Sequence, residues 1–179
     1  MEPRKYELNN GHALLIREAA IEDARAILDY VEDISGESDF LTFGPGEFKL
    51  NEAEEEDVLR KYRDSANQLY VLGLIDDTIV TSLIFSAGHR PRLRHSGEFG
   101  MSVRKQYWGL GIGSLMLDAL IHWARGTQIV KKINLRVRTD NQRAIHLYER
   151  KGFVNEGTIR KEIFLNGTYF AQHWMGLEL

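Results

Sequence analysis

Three glycines at alternate positions, Gly109, Gly111 and Gly113, constrain the fold of this chain more than any other sequence feature. They follow a predicted strand over residues 97–103 and precede a strongly amphipathic helical pattern that starts at Ile112. Glycine lets the backbone approach a ligand closely, and the free N–H groups at a helix start attract an anion. The segment therefore predicts a phosphate-binding loop, although glycines at a strand–helix junction also serve close packing.

The spacing of these glycines excludes the common nucleotide-binding motifs. A Rossmann fingerprint needs Gly-x-Gly-x-x-Gly, and here the third glycine comes one residue early. A P-loop needs Gly-Lys followed by Ser or Thr, which the chain lacks. The sequence also has no Gly-x-Ser-x-Gly elbow of a serine hydrolase, and its six histidines form no two-histidine zinc pattern.

Apolar periodicity divides the rest of the chain into strands and helices. It predicts one helix after Ala24 and a second helix capped by Asn51. Alternation predicts a meander in the middle, and Asn166-Gly167 predicts a type I′ hairpin near the end. The predicted order is β-α-α-β-β-β-α-β-α-β-β, an α/β (α+β) fold with a mixed, mostly antiparallel sheet and helices on both faces. The predicted strands cover residues 13–16, 69–75, 79–85, 97–103, 133–137, 162–165 and 168–174.

The composition fits a single domain over residues 1–179, with 43% apolar residues available for a core. Cysteine is absent, which excludes disulfides, thiolate metal ligands and a cysteine nucleophile, and no metal is expected. No stretch approaches the roughly 18–20 unbroken apolar residues of a membrane span, and the first residues carry no secretory signal. A cytoplasmic protein that binds no membrane is expected. The pI of 6.1 and the lack of a known binding module disfavour nucleic acid as a partner.

Charge is divided unevenly along the chain. Residues 1–88 hold 8 Lys/Arg against 19 Asp/Glu, a net charge of −11, and residues 89–179 hold 15 against 7, a net charge of +8. This asymmetry suits an anionic partner for the second half and a cationic partner for the first half. Mutual neutralisation of the two halves within one fold would account for it equally well.

Two motifs in the second half carry a family resemblance. Gln106-x-x-Gly109-x-Gly111 resembles the Q/R-x-x-G-x-G/A acetyl-CoA motif of the GNAT superfamily of N-acetyltransferases. The segment 141–153 is similar to that superfamily's N-x-x-A-x-x-L-Y-x-x-x-G-F segment. The resemblance extends over nearly the whole chain. It is strongest to bacterial spermidine acetyltransferases and to the amino-acid and ribosomal-protein acetyltransferases near them, which share features such as residues 97–99.

The resemblance implies an acetyl-CoA-dependent N-acetyltransferase. In such folds the strands corresponding to 97–103 and 132–138 splay apart, and the pantetheine arm enters the gap like an added strand. The main chain of Met101 and Val103 would bind its amides, and Asn141 would bond the pantetheine chain. The implied cofactor-binding residues are Met101, Val103, Gln106, Trp108, Gly109, Leu110, Gly111, Ile112, Gly113, Ser114, Asn141, Ala144 and Tyr148.

The resemblance also implies catalytic residues. Tyr148 would protonate the leaving thiolate, since a phenol with an ordinary pKa near ~10 is protonated at neutral pH. The Met101 N–H would polarise the carbonyl group. Glu98 would serve as a water-relayed base, yet strand alternation puts it on the face opposite Met101. Either a β-bulge near residues 97–100 restores the facing, or Glu98 is an ordinary solvated or salt-bridged carboxylate.

The expected acceptor is a small cationic amine such as a polyamine. Acetylation of a protein or peptide amine, an amino acid or an antibiotic is the alternative, because fold and cofactor motif do not identify the acceptor. A non-catalytic acyl-CoA-binding module is the alternative from another class, and Tyr148 argues against it. The acceptor pocket is expected between the loop after the first helix and the last hairpin, with the candidates Asp39, Phe40, Phe43, Glu47, Tyr169 and His173.

Two surface features complete the sequence-based expectations. The basic run Arg90, Arg92 and Arg94 either guides the CoA phosphates or forms a solvated loop. The apolar loop 40–43 and the C-terminal strand through Trp174 predict a homodimer, since association would cover an exposed apolar patch.

Overall fold

The chain forms eight strands and four α-helices, and the computed structural model describes residues 1–179. None of the helices is both long and apolar enough to cross a membrane. The strands are β1 (Arg4–Glu7), β2 (Ala13–Glu18), β3 (Gln68–Ile75), β4 (Thr78–Ala87), β5 (Ser96–Val103), β6 (Lys132–Arg138), β7 (Val154–Leu165) and β8 (Thr168–Glu178). The helices are α1 (Ala24–Ser35), α2 (Glu52–Arg63), α3 (Ile112–Gly126) and α4 (Gln142–Arg150).

All eight strands lie in one sheet, in the order β1-β2-β3-β4-β5-β6-β8-β7. Every neighbouring pair is antiparallel except β5 and β6. Helices α3 and α4 bury their apolar side chains on one face of the sheet, and α1 and α2 bury theirs on the other. The predicted mixed, mostly antiparallel sheet with helices on both faces is confirmed.

Local sequence signals set several element boundaries. Asn51 accepts a hydrogen bond from the Glu54 N–H, and the Glu54 carboxylate accepts one from the Asn51 N–H. This reciprocal capping box satisfies two N–H groups at the start of α2. Asn166 and Gly167 both have positive φ, 49° and 79°, as the predicted type I′ turn between β7 and β8 requires.

Two strands differ from the sequence-based prediction. Strand β1 is not predicted, because it has four residues and only Tyr6 among them is apolar. It forms from pairing with β2 at the sheet edge. Strand β7 begins at Val154, eight residues before the predicted start at residue 162. The prediction missed these residues because they are all exposed. An exposed edge strand lacks the alternation between apolar and polar residues on which the prediction depends.

Glu55 is a carboxylic acid buried between α2 and the sheet. The residue is 1% exposed, and its Oε1 has no hydrogen-bond partner. Burial raises the pKa of Glu55, and the nearby Tyr70 hydroxyl offsets part of the rise. The folded protein therefore holds this proton more tightly than the unfolded chain does. The contribution of Glu55 to stability should be fully present below the ordinary glutamate pKa and should be lost as the pH rises through its raised native pKa.

Replacing Glu55 with Gln should remove this contribution to the pH dependence. We expect the unfolding free energy of Glu55→Gln to exceed that of the wild type by about 1–2 kcal/mol at pH 8, because no buried carboxylate is then left to ionise. Urea unfolding at pH 5 and pH 8 measures the difference. Glu52→Gln, in the exposed first turn of the same helix, is the control and should retain the wild-type pH dependence. An unchanged pH dependence in Glu55→Gln would contradict the assignment.

Candidate active site

The glycine loop before α3 has two residues in the left-handed backbone conformation, with open space beside them. Gly109 and Gly111 have φ values of 89° and 81°, and a Cβ added at either position would meet nothing within 4 Å. The main-chain N–H groups of residues 109–113 find no hydrogen-bond acceptor in the chain. They lie at the positive end of the α3 dipole, because α3 begins at Ile112. This arrangement of free donors fits a pyrophosphate group.

The third glycine has a different role. A Cβ on Gly113 would lie 3.1 Å from Leu147 Cδ2 and 3.4 Å from Met101 Cε, so this glycine lets α3 pack closely against α4 and β5. Ile112 is fully buried, and Leu110 packs against the same apolar core. The close-packing interpretation therefore applies to Gly113, and residues 110 and 112 can meet a ligand through their main chain.

The rim of the glycine loop carries a cation, Arg143, that was not predicted from the sequence. The Trp108 indole N–H donates a 2.7 Å hydrogen bond to the Val103 carbonyl, and the Arg143 guanidinium lies 5.1 Å from the Trp108 ring centroid. Arg143 is in the first turn of α4, where the helix dipole disfavours a cation. A cation at a disfavoured helix position is a feature that could have singled out Arg143 from the sequence. Gln106 is exposed in a short 3₁₀ turn beside this rim.

Strands β5 and β6 separate after three residue pairs. Their parallel ladder joins residues 96–98 to residues 132–134 and goes no further. Beyond Glu98 and Asn134, β5 continues paired with β4 alone, and β6 continues paired with β8 alone. The splayed gap implied by the family resemblance is present in the structure.

The main chain of β5 faces this gap at alternate residues. Ser96 and Arg104 hydrogen-bond to the β4 side, through Gly88 N–H to Ser96 O and Arg104 N–H to Val80 O. Residues of an antiparallel pair point their main-chain groups alternately toward and away from the partner strand. Phe99, Met101 and Val103 therefore point their N–H and C=O groups into the gap.

Tyr148 lies beside the gap on the α3–α4 face of the sheet. Its ring packs edge-on against Phe99 and Phe153, with centroid distances of 5.8 and 5.9 Å. Its hydroxyl makes no hydrogen bond within the chain, and burial raises the pKa of Tyr148 to about 12. Asn141 caps α4 by accepting a hydrogen bond from the Ala144 N–H at 3.2 Å, which leaves its side-chain N–H groups for a ligand.

Glu98 lies on the opposite face of the sheet, where the gap begins. The β4–β5 register runs without a break from residue 97 to residue 103, so β5 contains no bulge in this stretch. Glu98 is bidentate with Arg136, whose Nε and Nη2 donate to its two oxygens at 2.8 and 3.2 Å. Arg136 also donates to Glu162 at 3.1 Å and lies against the Trp174 ring. Neither Arg136 nor Glu162 was predicted from the sequence.

A buried arginine joins the loop after α1 to the last hairpin. The Arg138 guanidinium donates to the Asp39 carbonyl at 2.7 Å and to the Asp140 carboxylate at 2.6 Å. It lies 3.7 Å from the Phe170 ring centroid and 4.9 Å from that of Phe40. Asp39 and Phe40 therefore border the same face as Glu98, as the expected acceptor pocket requires.

The other acceptor candidates make different contacts. Phe43 packs against Phe48 and against the apolar core beneath α1 and α2, beside the exposed Glu47. Tyr169 packs against Phe164 at the exposed hairpin tip. His173 lies on the face of β8 opposite the side chains that contact Arg138. It hydrogen-bonds instead to Asn155 and Thr158 of β7. The sequence did not reveal this, because the sheet face that a strand residue occupies is known only once the pairing with the neighbouring strands is known.

The basic run is at the wrong end of β5 to serve the glycine loop. Arg90, Arg92 and Arg94 lie in the connection that precedes β5, whereas the glycine loop follows it. The strand between them spans about 23 Å at the usual rise per residue. The three arginines are exposed and form no ion pair. They therefore cannot contact a pyrophosphate held by the glycine loop.

Comparison with protein families and known proteins identifies the chain's relatives. The family model described as the acetyltransferase (GNAT) family matches residues 28–153. The L-amino acid N-acetyltransferase AaaT of Escherichia coli is 31% identical over 105 residues, which cover 59% of this chain and 65% of that protein. A spermidine N(1)-acetyltransferase of Vibrio cholerae is 32% identical over 77 residues, which cover 43% of this chain and 44% of that protein. The matched segments thus span less than two thirds of these relatives.

A crystal structure gives a longer match. The acetyltransferase of GNAT family from Streptococcus pneumoniae is 34% identical, with a TM-score of 0.91. The match covers 93% of this chain and 99% of that one. The similarity therefore extends over nearly the whole of both chains.

Proposed function

The chain belongs to the acetyltransferase (GNAT) family, and we propose that it transfers the acetyl group of acetyl-CoA to a primary amine. The observation that carries this proposal is the β5–β6 gap. The free N–H groups of residues 109–113 lie at one end of the gap, and Tyr148 and Glu98 lie on opposite sides of the sheet beside it. A binding module has no need for two such groups on opposite faces of one gap.

We propose that the chain holds acetyl-CoA along this gap. The N–H groups from Gly109 to Gly113 would bind the pyrophosphate, with Arg143 as a nearby cation. Met101 and Val103 would hydrogen-bond the pantetheine arm, with the Asn141 side chain on its other side. Bound acetyl-CoA would supply an acetyl group activated as a thioester.

The catalytic roles follow from which face each group occupies. Tyr148 would donate its hydroxyl hydrogen to the sulfur as the thiolate departs. Because its pKa of about 12 exceeds the ordinary thiol value near ~8.5, the phenol stabilises the developing charge chiefly as a hydrogen-bond donor. The Met101 N–H would polarise the carbonyl from the gap. Glu98 would receive the amine's proton through water on the opposite face.

We propose a small cationic amine as the acceptor. Glu98 and Glu162 carry two negative charges, and Arg136 is the one cation within ion-pair distance of them. The group therefore has an excess negative charge, which suits an ammonium-bearing substrate. The similarity to a spermidine acetyltransferase agrees with this choice. The similarity to an amino-acid acetyltransferase makes amino acids the second class of acceptor to test.

Thiol release from acetyl-CoA across a panel of amines tests the proposed function. The panel should include diamines, amino acids, peptide amines and an aminoglycoside. Release that depends on the amine supports the proposal, with the fastest release for diamines. Acetyl-CoA binding without release for any amine would assign the chain to the non-catalytic binding modules.

We also propose that the chain forms a homodimer. Phe164 and Tyr169 are 62% and 57% exposed at the hairpin tip, and Phe40 is exposed on the loop after α1. Association would remove these side chains from water. Light scattering at micromolar concentration should give twice the 20.6 kDa of one chain. A mass of one chain would contradict the proposal.

A further inference from the structure

Strand β7 contains a large bulge directly beside Glu162. Ile159 pairs with Gln172 and Ile163 pairs with Phe170, so three residues of β7 lie opposite a single residue of β8. Lys161, within the bulge, has a φ of 57°. A residue with a Cβ adopts this left-handed conformation at a free-energy cost, so the bulge must be held in place by the contacts around it.

The bulge determines which face Glu162 occupies. Ile163 pairs with Phe170, and Phe170 contacts Arg138 on the α1–α2 face. In a regular strand the neighbouring Glu162 would point to the opposite face. It instead reaches Arg136 at 3.1 Å on the α1–α2 face. Bulges commonly redirect a side chain next to an active site.

Two oxygen atoms near Arg136 receive no hydrogen bond. Arg136 donates through Nε and Nη2 to Glu98 and through Nη1 to Glu162 Oε1. Glu162 Oε2 accepts no hydrogen bond within the chain. Asn134, the residue paired with Glu98 across the start of the gap, is 5% exposed and its Oδ1 is also unpartnered. The Asn134 oxygen is buried, so the Glu162 oxygen is the unpartnered acceptor that a ligand can reach. Together with the excess negative charge, it suits a ligand that carries both donors and positive charge.

From these observations we infer that Glu162 is a specificity-determining residue that binds the second, non-reacting ammonium group of a diamine acceptor. The inference rests on the proposed acetyl transfer to an amine. The reacting amine lies over Glu98 at the start of the gap. The distal ammonium takes Glu162 Oε2 as its acceptor and shares the two carboxylates with Arg136. An acceptor that ended in a carboxylate would have to compete with both glutamates for Arg136.

Calorimetry with two matched probes tests this inference without turnover. The probes are 1,4-diaminobutane and 5-aminopentanoate, which carry the same amine on the same methylene chain and end in an ammonium or a carboxylate. Each is titrated into the protein saturated with CoA. The wild type should bind 1,4-diaminobutane more tightly. Glu162→Gln should weaken that binding on the order of 10- to 100-fold, the worth of a charge-assisted hydrogen bond, and should leave CoA affinity unchanged.

Glu156→Gln is the matched control. Glu156 lies on the same strand and pairs with a β6 cation, Lys132, at 2.7 Å, and its side chain is 29% exposed against 31% for Glu162. Glu156→Gln should bind both probes as the wild type does. Wild-type diamine affinity in Glu162→Gln, tighter binding of 5-aminopentanoate by the wild type, or binding of neither probe would overturn the inference. Thiol release by the wild type, measured separately, shows whether the proposed acetyl transfer itself holds.

Discussion

Replacing Tyr148 with Phe should lower kcat about 10²- to 10⁴-fold, the usual worth of a positioned proton donor. The change removes one hydroxyl and keeps the ring that packs against Phe99 and Phe153. Because that hydroxyl makes no hydrogen bond within the chain, stability should hardly change. The half-saturating concentration of acetyl-CoA should also stay constant, since the donor matters as the thiolate departs.

A second tyrosine of the same apolar core provides the control for Tyr148→Phe. Tyr6 packs against that core from β1, far along the sheet from the gap. Tyr6→Phe removes an equivalent hydroxyl and should keep wild-type turnover. Wild-type turnover in Tyr148→Phe would mean that the thiolate departs without help from the phenol. Loss of CoA binding in that variant would mean that the hydroxyl binds the ground state.

The pH dependence of the Tyr148→Phe defect tests the same assignment. With a pKa of about 12, the phenol keeps its proton until the pH approaches that value. The ratio of wild-type to Tyr148→Phe turnover should therefore stay constant between about pH 6 and 9. A ratio that falls toward one over this range would show that the phenol ionises there, and it would contradict the buried, neutral tyrosine.

Gly111→Trp should abolish acetyl-CoA binding. The space beside Gly111 is empty within 4 Å, so an indole there would occupy the volume assigned to the pyrophosphate and cover the free N–H groups of the loop. The substitution also adds strain at a φ of 81°, and a control must separate strain from blockage. Isothermal calorimetry with acetyl-CoA measures the binding.

Gly11 provides that control. It has a φ of 84°, and its Cβ would also meet nothing within 4 Å, but it lies in the turn between β1 and β2. Gly11→Trp therefore imposes the same backbone strain away from the gap. Both variants should lose similar stability in urea unfolding, and only Gly111→Trp should lose acetyl-CoA. Unchanged acetyl-CoA affinity in Gly111→Trp would show that the glycine loop holds no phosphate.

The sequence predicted the fold and the glycine loop before α3 because their determinants are local. Apolar periodicity marks α3, Asn51 marks the start of α2, and the glycines mark the loop between β5 and α3. The sequence could not separate Gly113, which serves packing, from Gly109 and Gly111. That distinction depends on the approach of Leu147 and Met101, which come from other elements.

The acceptor side of the gap was harder to predict because its residues meet through pairing of distant strands. Glu98 on the face opposite Met101 follows from alternation alone, and the structure has no bulge to change it. Arg136 and Glu162 are ordinary charged residues in sequence. They join Glu98 only through the β5–β6 ladder and the bulge in β7. A positive φ at Lys161 has no signature in the sequence.

Transfer of an isotopically labelled acetyl group from acetyl-CoA to 1,4-diaminobutane measures the proposed activity most directly. Mass spectrometry of the amine and a thiol assay of the same reaction give the amounts of acetylated product and free CoA. An acetyltransferase produces the two in equal amounts, at a rate that depends on the amine and falls in Tyr148→Phe. Acetyl-CoA that binds but yields no acetylated amine, or thiol release that matches free acetate instead, would contradict the assignment.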